Sequence, residues 1–178
     1  MIIGDDQDAA YSAQMVAARD AAGEARQAIH ILGEVPYAEI CRYYREASLF
    51  VFPSYLETFG HPLLEAMAND LPLVAADIPV FREVAGDAAV YADPMDSSAL
   101  ASAMEAVLVS AEARRMLVKR GRERLRQFTW QRTATNLLGL FDQVLQARQP
   151  ASRRAGHERG PQRPFSALPA VARTRLVA

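Results

Sequence analysis

SLFVFPSYLETFGHPLLEAMAND, running from Ser48 to Asp70, is the stretch whose reading decides the fold. Ser48 to Phe52 is a short apolar run rich in β-formers, and Pro53 bars its continuation as an interior strand. Pro62 opens a helix, because proline's missing N–H is harmless at the first helical position. Leu63, Leu64, Met67 and Ala68 then recur at helical spacing and predict the buried face. Between strand and helix lies Thr58-Phe59-Gly60-His61, where Gly60 permits a backbone conformation or a close approach that a side chain would forbid.

The N–H groups entering a helix lack intrahelical partners and sit at the positive end of the macrodipole, a setting that suits a phosphate. Glu57 stands before this mouth, and Glu65 follows about one turn into the helix, roughly 5 Å along its axis. Four loop residues can span roughly 13 Å when extended. The carboxylates can therefore flank a diphosphate, one reaching a sugar and one a ribose, whose hydroxyls they accept well. A plainer reading stands beside this one. An acid in the first helical turn favours the dipole, and a loop glutamate is ordinarily solvated. Spacing alone leaves both open.

Glu57-x7-Glu65, embedded in FVFPSYLETFGHPLLEAMA and followed by LPLVAADIPVFREVAGDAAVYADP, resembles the donor-binding core of the group-one glycosyltransferases, family four, with the GT-B fold. The resemblance runs from about Ile2 to Leu145. It implies an α/β fold: a Rossmann-like parallel sheet flanked by helices, the incomplete C-terminal half of a GT-B fold, with further C-terminal helices. It also implies retaining transfer of a sugar from a nucleotide diphosphate-sugar to an acceptor hydroxyl. By that likeness Glu57 takes the catalytic place, facing sugar hydroxyls near the reacting carbon. The backbone N–H groups of Phe59, Gly60 and His61 hold a sugar hydroxyl or a phosphate oxygen, and Glu65 binds the ribose diol. Val35, in a Gly-x-Val segment, packs beside the base. His61 occupies a position often taken by an aliphatic residue, and Glu83 matches a recurrent glutamate that anchors a loop or meets the ligand.

The resemblance calls for no metal and no cofactor; the nucleotide-sugar is a substrate. No residue stands out as a general base, which suits a front-face mechanism. An Arg/Lys phosphate clamp and the acceptor-binding N-terminal domain correspond to sequence upstream of Met1, and Lys119, the one lysine, does not map onto the clamp. The expectation is a donor domain that is inactive without its N-terminal half. The alternative is a non-catalytic nucleotide- or partner-binding fragment. A GT-B sugar-nucleotide epimerase is remoter, since such enzymes use a different glutamate and histidine arrangement.

The bulk properties set outer bounds. The 178 residues suffice for a domain with a proper core, and 51% are apolar, an ordinary share for a soluble protein. No run of about twenty apolar residues marks a membrane span, and no signal-peptide pattern is present. Cys41 is the sole cysteine, so no internal disulfide forms, which fits a reducing cytosol. Up to Ala147 there are 13 basic and 20 acidic residues, a balance of −7; beyond it seven arginines face one glutamate. Residues 1–147 read as the nucleotide-sugar-binding domain and 148–178 as a disordered, solvated Arg/Pro/Ala-rich tail. Such a tail can attract anionic lipid heads, but it lacks a folded nucleic-acid motif, and no nucleic-acid partner is expected. The expected location is cytoplasmic, with peripheral contact at the inner membrane surface as the tail's option.

In chain order, Met1-Ile2-Ile3-Gly4 reads as the end of a strand. Asp5-Asp6-Gln7-Asp8 has metal-binding spacing but reads better as a turn and helix start. Helices are predicted at 11–22, 37–46, 80–85, 98–110, 111–127 and 130–147, and strands at 28–32, 71–76 and 88–92, with His30 at a core or boundary position. Thr129 is a good N-cap for the last helix, and the Phe128 and Trp130 rings read as core packing. Strands alternating with helices predict a parallel sheet covered on both faces, with ligand beyond the strands' carboxyl ends.

Overall fold

The computed structural model describes residues 1–5 and 8–148, so the predicted tail lies outside the described residues except for Arg148. The chain divides into two compact units, Met1–Thr129 and one beginning at Trp130. In the first unit, parallel strands β1 (Ile2–Ile3) and β2 (Ile31–Gly33) pair with each other. The larger sheet is parallel, in the order β3 (Phe50–Phe52), β4 (Leu73–Ala76), β5 (Ala89–Ala92). Its crossovers are α3 (His61–Ala68) and α4 (Pro79–Ala85), the latter followed by a short 3-10 turn at Gly86–Ala88. Before it come α1 (Ala9–Asp20) and α2 (Tyr37–Glu46); after it come α5 (Ser97–Val109) and α6 (Ala111–Leu125). The second unit contains α7 (Trp130–Arg148).

Period-two alternation along the strands makes two cores. Phe50, Phe52, Leu73, Ala75 and Ala89 point to a core with Leu63, Met67, Phe81 and Val84 from α3 and α4. Val51, Val74 and Val90 point the opposite way, toward Val107 of α5 and Leu117 of α6. Apolar residues on both faces of a strand are what a parallel sheet covered twice requires. The central strand Leu73–Ala76 is accordingly buried throughout. Gly121 lets α6 pack close: a Cβ there would stand 3.1 Å from Met67 Cγ.

Elements began or ended a few residues from their expected bounds in several places. Pro62 stands second in its helix rather than first, because His61 takes the opening position. The strand expected at 28–32 starts only at Ile31, since Gly23–Ala28 coils into a 3-10 helix. His30 is exposed rather than in a core, although its carbonyl accepts from Ile2 N–H at 2.7 Å. Asp8 caps α1, accepting from Ala10 and Tyr11 N–H at 2.9 and 3.1 Å, in keeping with the helix-start reading. Trp130 is 80% exposed, which overturns core packing for it: the residue stands at the solvent-facing first position of α7.

The carboxyl end of β4 is tied down by charge. Arg82 on α4 donates from Nε and Nη2 to the Asp77 carboxylate at 2.5 and 2.7 Å, and its guanidinium lies 4.5 Å from the Tyr91 ring centre. The Tyr91 hydroxyl donates to the carbonyls of Gly86 and Phe81 at 2.7 and 3.2 Å. The hydrogen bond from Arg82 lowers the Asp77 pKa, whereas burial pushes Tyr91 up to about 12. Asp77 thus contributes stability above its unfolded pKa of about 3.9, lost as pH falls through the lower folded value. Tyr91 has the opposite sign: its contribution is full below about pH 10 and is lost as pH rises toward the folded value. Urea midpoints measured across pH are therefore expected to form a plateau that falls at both ends. In Arg82→Gln the acid limb becomes shallower by a small amount, as befits an exposed ion pair. An acid limb as steep as in the unaltered chain would remove Asp77 from this account.

Candidate functional site

The site is built on the turn between β3 and α3. Gly60 adopts a left-handed conformation, φ 89° and ψ 50°, and a Cβ there would lie 2.8 Å from Phe81 Cε1. Only glycine meets both demands. The Phe81 ring is itself fixed, fully buried and stacked 5.0 Å from Phe52. The Gly60 carbonyl accepts the first helical bond, from Leu63 N–H at 3.0 Å, and no side chain caps the helix. The backbone N–H groups of Phe59, Gly60 and His61 donate to no protein acceptor among the described residues. Those amides, with the dipole behind them, make the mouth electropositive.

Glu65 lies one turn further along and is held by two tyrosines of α2. Tyr37 donates its hydroxyl to Oε1 at 3.2 Å, and Tyr44 donates to Oε2 at 3.0 Å. Tyr44 is buried at 7% exposure, while Tyr37 is 77% exposed, so one anchor is rigid and the other faces solvent. Burial first, then the hydrogen bond to Glu65, raises the Tyr44 pKa; the Glu65 charge raises that of Tyr37. An ionised carboxylate offers about four acceptor positions, so two tyrosine hydroxyls leave room for a diol.

The other expected residues distribute as follows. Glu57 is half-buried in the turn, and its carboxylate has no ion pair or hydrogen bond among the described residues. Val35 is half-buried in the loop after β2, two residues before Tyr37, so the Tyr37–Glu65 contact brings its loop toward the mouth of α3. His61 is exposed, its ring 4.7 Å from that of Phe59, which meets Phe128 edge-on at 6.0 Å. Glu83 is exposed on α4, and its carbonyl accepts from Arg124 Nη2. Among the described residues no three His, Cys, Asp or Glu side chains gather closely enough to hold a metal.

Tyr37 and Tyr44 went unread in the sequence. One signal was available: they stand seven residues apart, two turns of helix, and so share a face.

Residues 1–124 match the family model described as glycosyl transferases group 1. The chain belongs to that family. It is 34% identical over 113 residues to the O-antigen chain mannosyltransferase B of Escherichia coli, covering 64% of this chain and 30% of that protein. It is also 34% identical over 129 residues to the phosphatidyl-myo-inositol mannosyltransferase of Mycobacterium leprae, covering 71% and 34%. In three dimensions this group 1 chain is similar to sucrose-phosphate synthase from Thermosynechococcus elongatus, with a TM-score of 0.68 and 27% identity, over 82% of this chain and 38% of that one. It spans about a third of the length of these relatives. The expected Rossmann-like half of a GT-B fold is what the group 1 chain has. No helix among its described residues is long and apolar enough to cross a membrane.

Proposed function

We propose that the mouth of α3 binds a nucleotide diphosphate-sugar, and that this chain supplies the donor half of a retaining glycosyl transfer to an acceptor hydroxyl. The observation that carries the reading is the Glu65 carboxylate, oriented by Tyr37 and Tyr44 one turn beyond amides that have no acceptor among the described residues. Glu65 takes the ribose diol, and the Val35 loop takes the base. The N–H groups of Phe59, Gly60 and His61 receive phosphate or sugar oxygens. Glu57, without a hydrogen-bond or ion-pair partner among the described residues, turns to the sugar hydroxyls near the reacting carbon. Stabilising the departing diphosphate is the main electrostatic task, and preoriented amides perform it without reorganising during the reaction. No metal or cofactor is assigned a part in this scheme; the diphosphate charge is met by backbone N–H groups and the helix dipole.

Acceptor positioning belongs to an N-terminal GT-B half in this scheme, so the chain alone binds donor but transfers slowly or not at all. Two of the relatives named above are mannosyltransferases, which makes mannosyl transfer the first to assay. Calorimetric titration of the full chain with uridine, guanosine and adenosine diphosphates, free and sugar-linked, tests the reading. One of them is expected to bind, with affinity lowered in Glu57→Gln only when the sugar is attached. Failure of every diphosphate to bind would refute the proposal.

A further inference from the structure

Helix α6 is the most basic element of an otherwise acidic domain. It carries six arginines and lysines against Glu112 and Glu123, whereas no basic residue occurs between Arg82 and Arg114. Arg115, Lys119, Arg122 and Arg126 are spaced by four, three and four residues, so they form a row about 16 Å long on one face. Together with Arg114 they line an open cleft of about 560 Å³, whose other wall includes Ser48, Leu71 and Pro72. These three residues precede β3 and β4. The cleft therefore lies at the amino ends of the parallel strands, opposite the end bearing Glu57 and Gly60.

The acids near this row neutralise little of it. Asp70 takes Arg122 in two hydrogen bonds of 2.6 Å, and Glu123 is the other acid in the lining. Arg114 donates to the carbonyls of Val107 and Leu108, and among the described residues no carboxylate pairs with it. Arg115, Lys119 and Arg126 form no ion pair among the described residues. Beside the Arg114 end, apolar side chains are left in water: Leu108 and Val109 at the close of α5 are 44% and 76% exposed, and Met116 is 45% exposed.

A row of cations next to protruding apolar side chains fits a lipid interface, where basic groups meet phosphate heads and apolar groups enter the acyl boundary. A soluble polyphosphate would use the cations but leave Leu108, Val109 and Met116 unused. We propose that the α6 face, Arg115, Lys119 and Arg126 with Leu108 and Val109 beside them, seats this domain on an anionic lipid surface. The surface is separate from the donor mouth and does not depend on the reading given to it.

Sedimentation of the full chain with phosphatidylcholine vesicles, with and without phosphatidylglycerol, tests this. Binding is expected only to the anionic vesicles and weakens with salt. Neutralising Arg115, Lys119 and Arg126 together to glutamine is expected to lower partitioning about a hundredfold, since each surface cation near anionic lipid contributes about fivefold. Leu108→Ser with Val109→Ser leaves the charge unchanged and is expected to lower it several-fold. Unaltered circular dichroism and thermal midpoint in both variants show that the fold survives. Three results overturn the proposal: no binding of the unaltered chain to anionic vesicles, binding of the triple variant at full strength, or binding of the serine variant at full strength. The second would transfer the role to the arginine-rich segment after Ala147.

Discussion

Gly60→Ala is expected to destabilise the domain by about 3 kcal/mol, the sum of two separable effects. A left-handed conformation costs a non-glycine residue about 1–2 kcal/mol. Overpacking a well-filled core adds about 1–3 kcal/mol. Here the new methyl would stand 2.8 Å from a Phe81 ring that is fully buried and stacked on Phe52, with nowhere to swing. Against a total stability of about 5–15 kcal/mol this is a large loss. Phe81→Leu should make room and remove the steric part while leaving the conformational part. The double variant is then more stable than the two single losses predict, by about 1 kcal/mol, as residues in contact commonly show. Urea unfolding of the four proteins measures this coupling directly. Strict additivity would mean that the ring does not fix the turn.

The same turn shows why so much could be read in advance. Proline and glycine punctuate residues 48–92, and the apolar runs between them are short and unbroken, so local rules and the tertiary structure agree there. The strand before Pro53, the helix after Gly60 and the buried strand before Asp77 all follow from that agreement. Residues 23–30 lack it: Gly-Glu-Ala-Arg-Gln-Ala has no apolar period, and its 3-10 coil depends on where the neighbouring strand begins. The place of Glu65, one turn inside its helix, was legible because the start of that helix was visible. Tyr37 and Tyr44 were not, because their contacts bridge 28 and 21 residues and arise only once α2 packs beside α3. Local pattern fixes elements and the faces they bury; it does not say which polar groups meet across them. The basic row on α6 has the same character. Its spacing is present in the sequence, yet the cleft exists only because α6 crosses the amino ends of β3 and β4.

Those two tyrosines supply the sharpest test of the proposed donor site. If Glu65 takes the ribose diol, Glu65→Ala removes two hydrogen bonds to a charged acceptor, each contributing about 1.5–3 kcal/mol. With part of that loss recovered by water, nucleotide diphosphate affinity should fall about a hundredfold, or about 2.7 kcal/mol. The loss alone would not identify the ribose, because the Tyr44 hydroxyl is also left without its partner. Comparison of each ribonucleotide with its 2′-deoxy form makes the distinction. The unaltered chain should prefer the ribose form about tenfold, one hydrogen bond's worth, and Glu65→Ala should bind both equally. Tyr44→Phe keeps the carboxylate but frees it to rotate, since Tyr37, its other anchor, is exposed. Affinity should then fall about tenfold, with the preference for ribose reduced yet still present. A merely structural tyrosine would lower the thermal midpoint and leave the ribose preference intact. Should Glu65→Ala retain the full preference, the diol is held elsewhere, and the carboxylate serves only to bind α2 against α3.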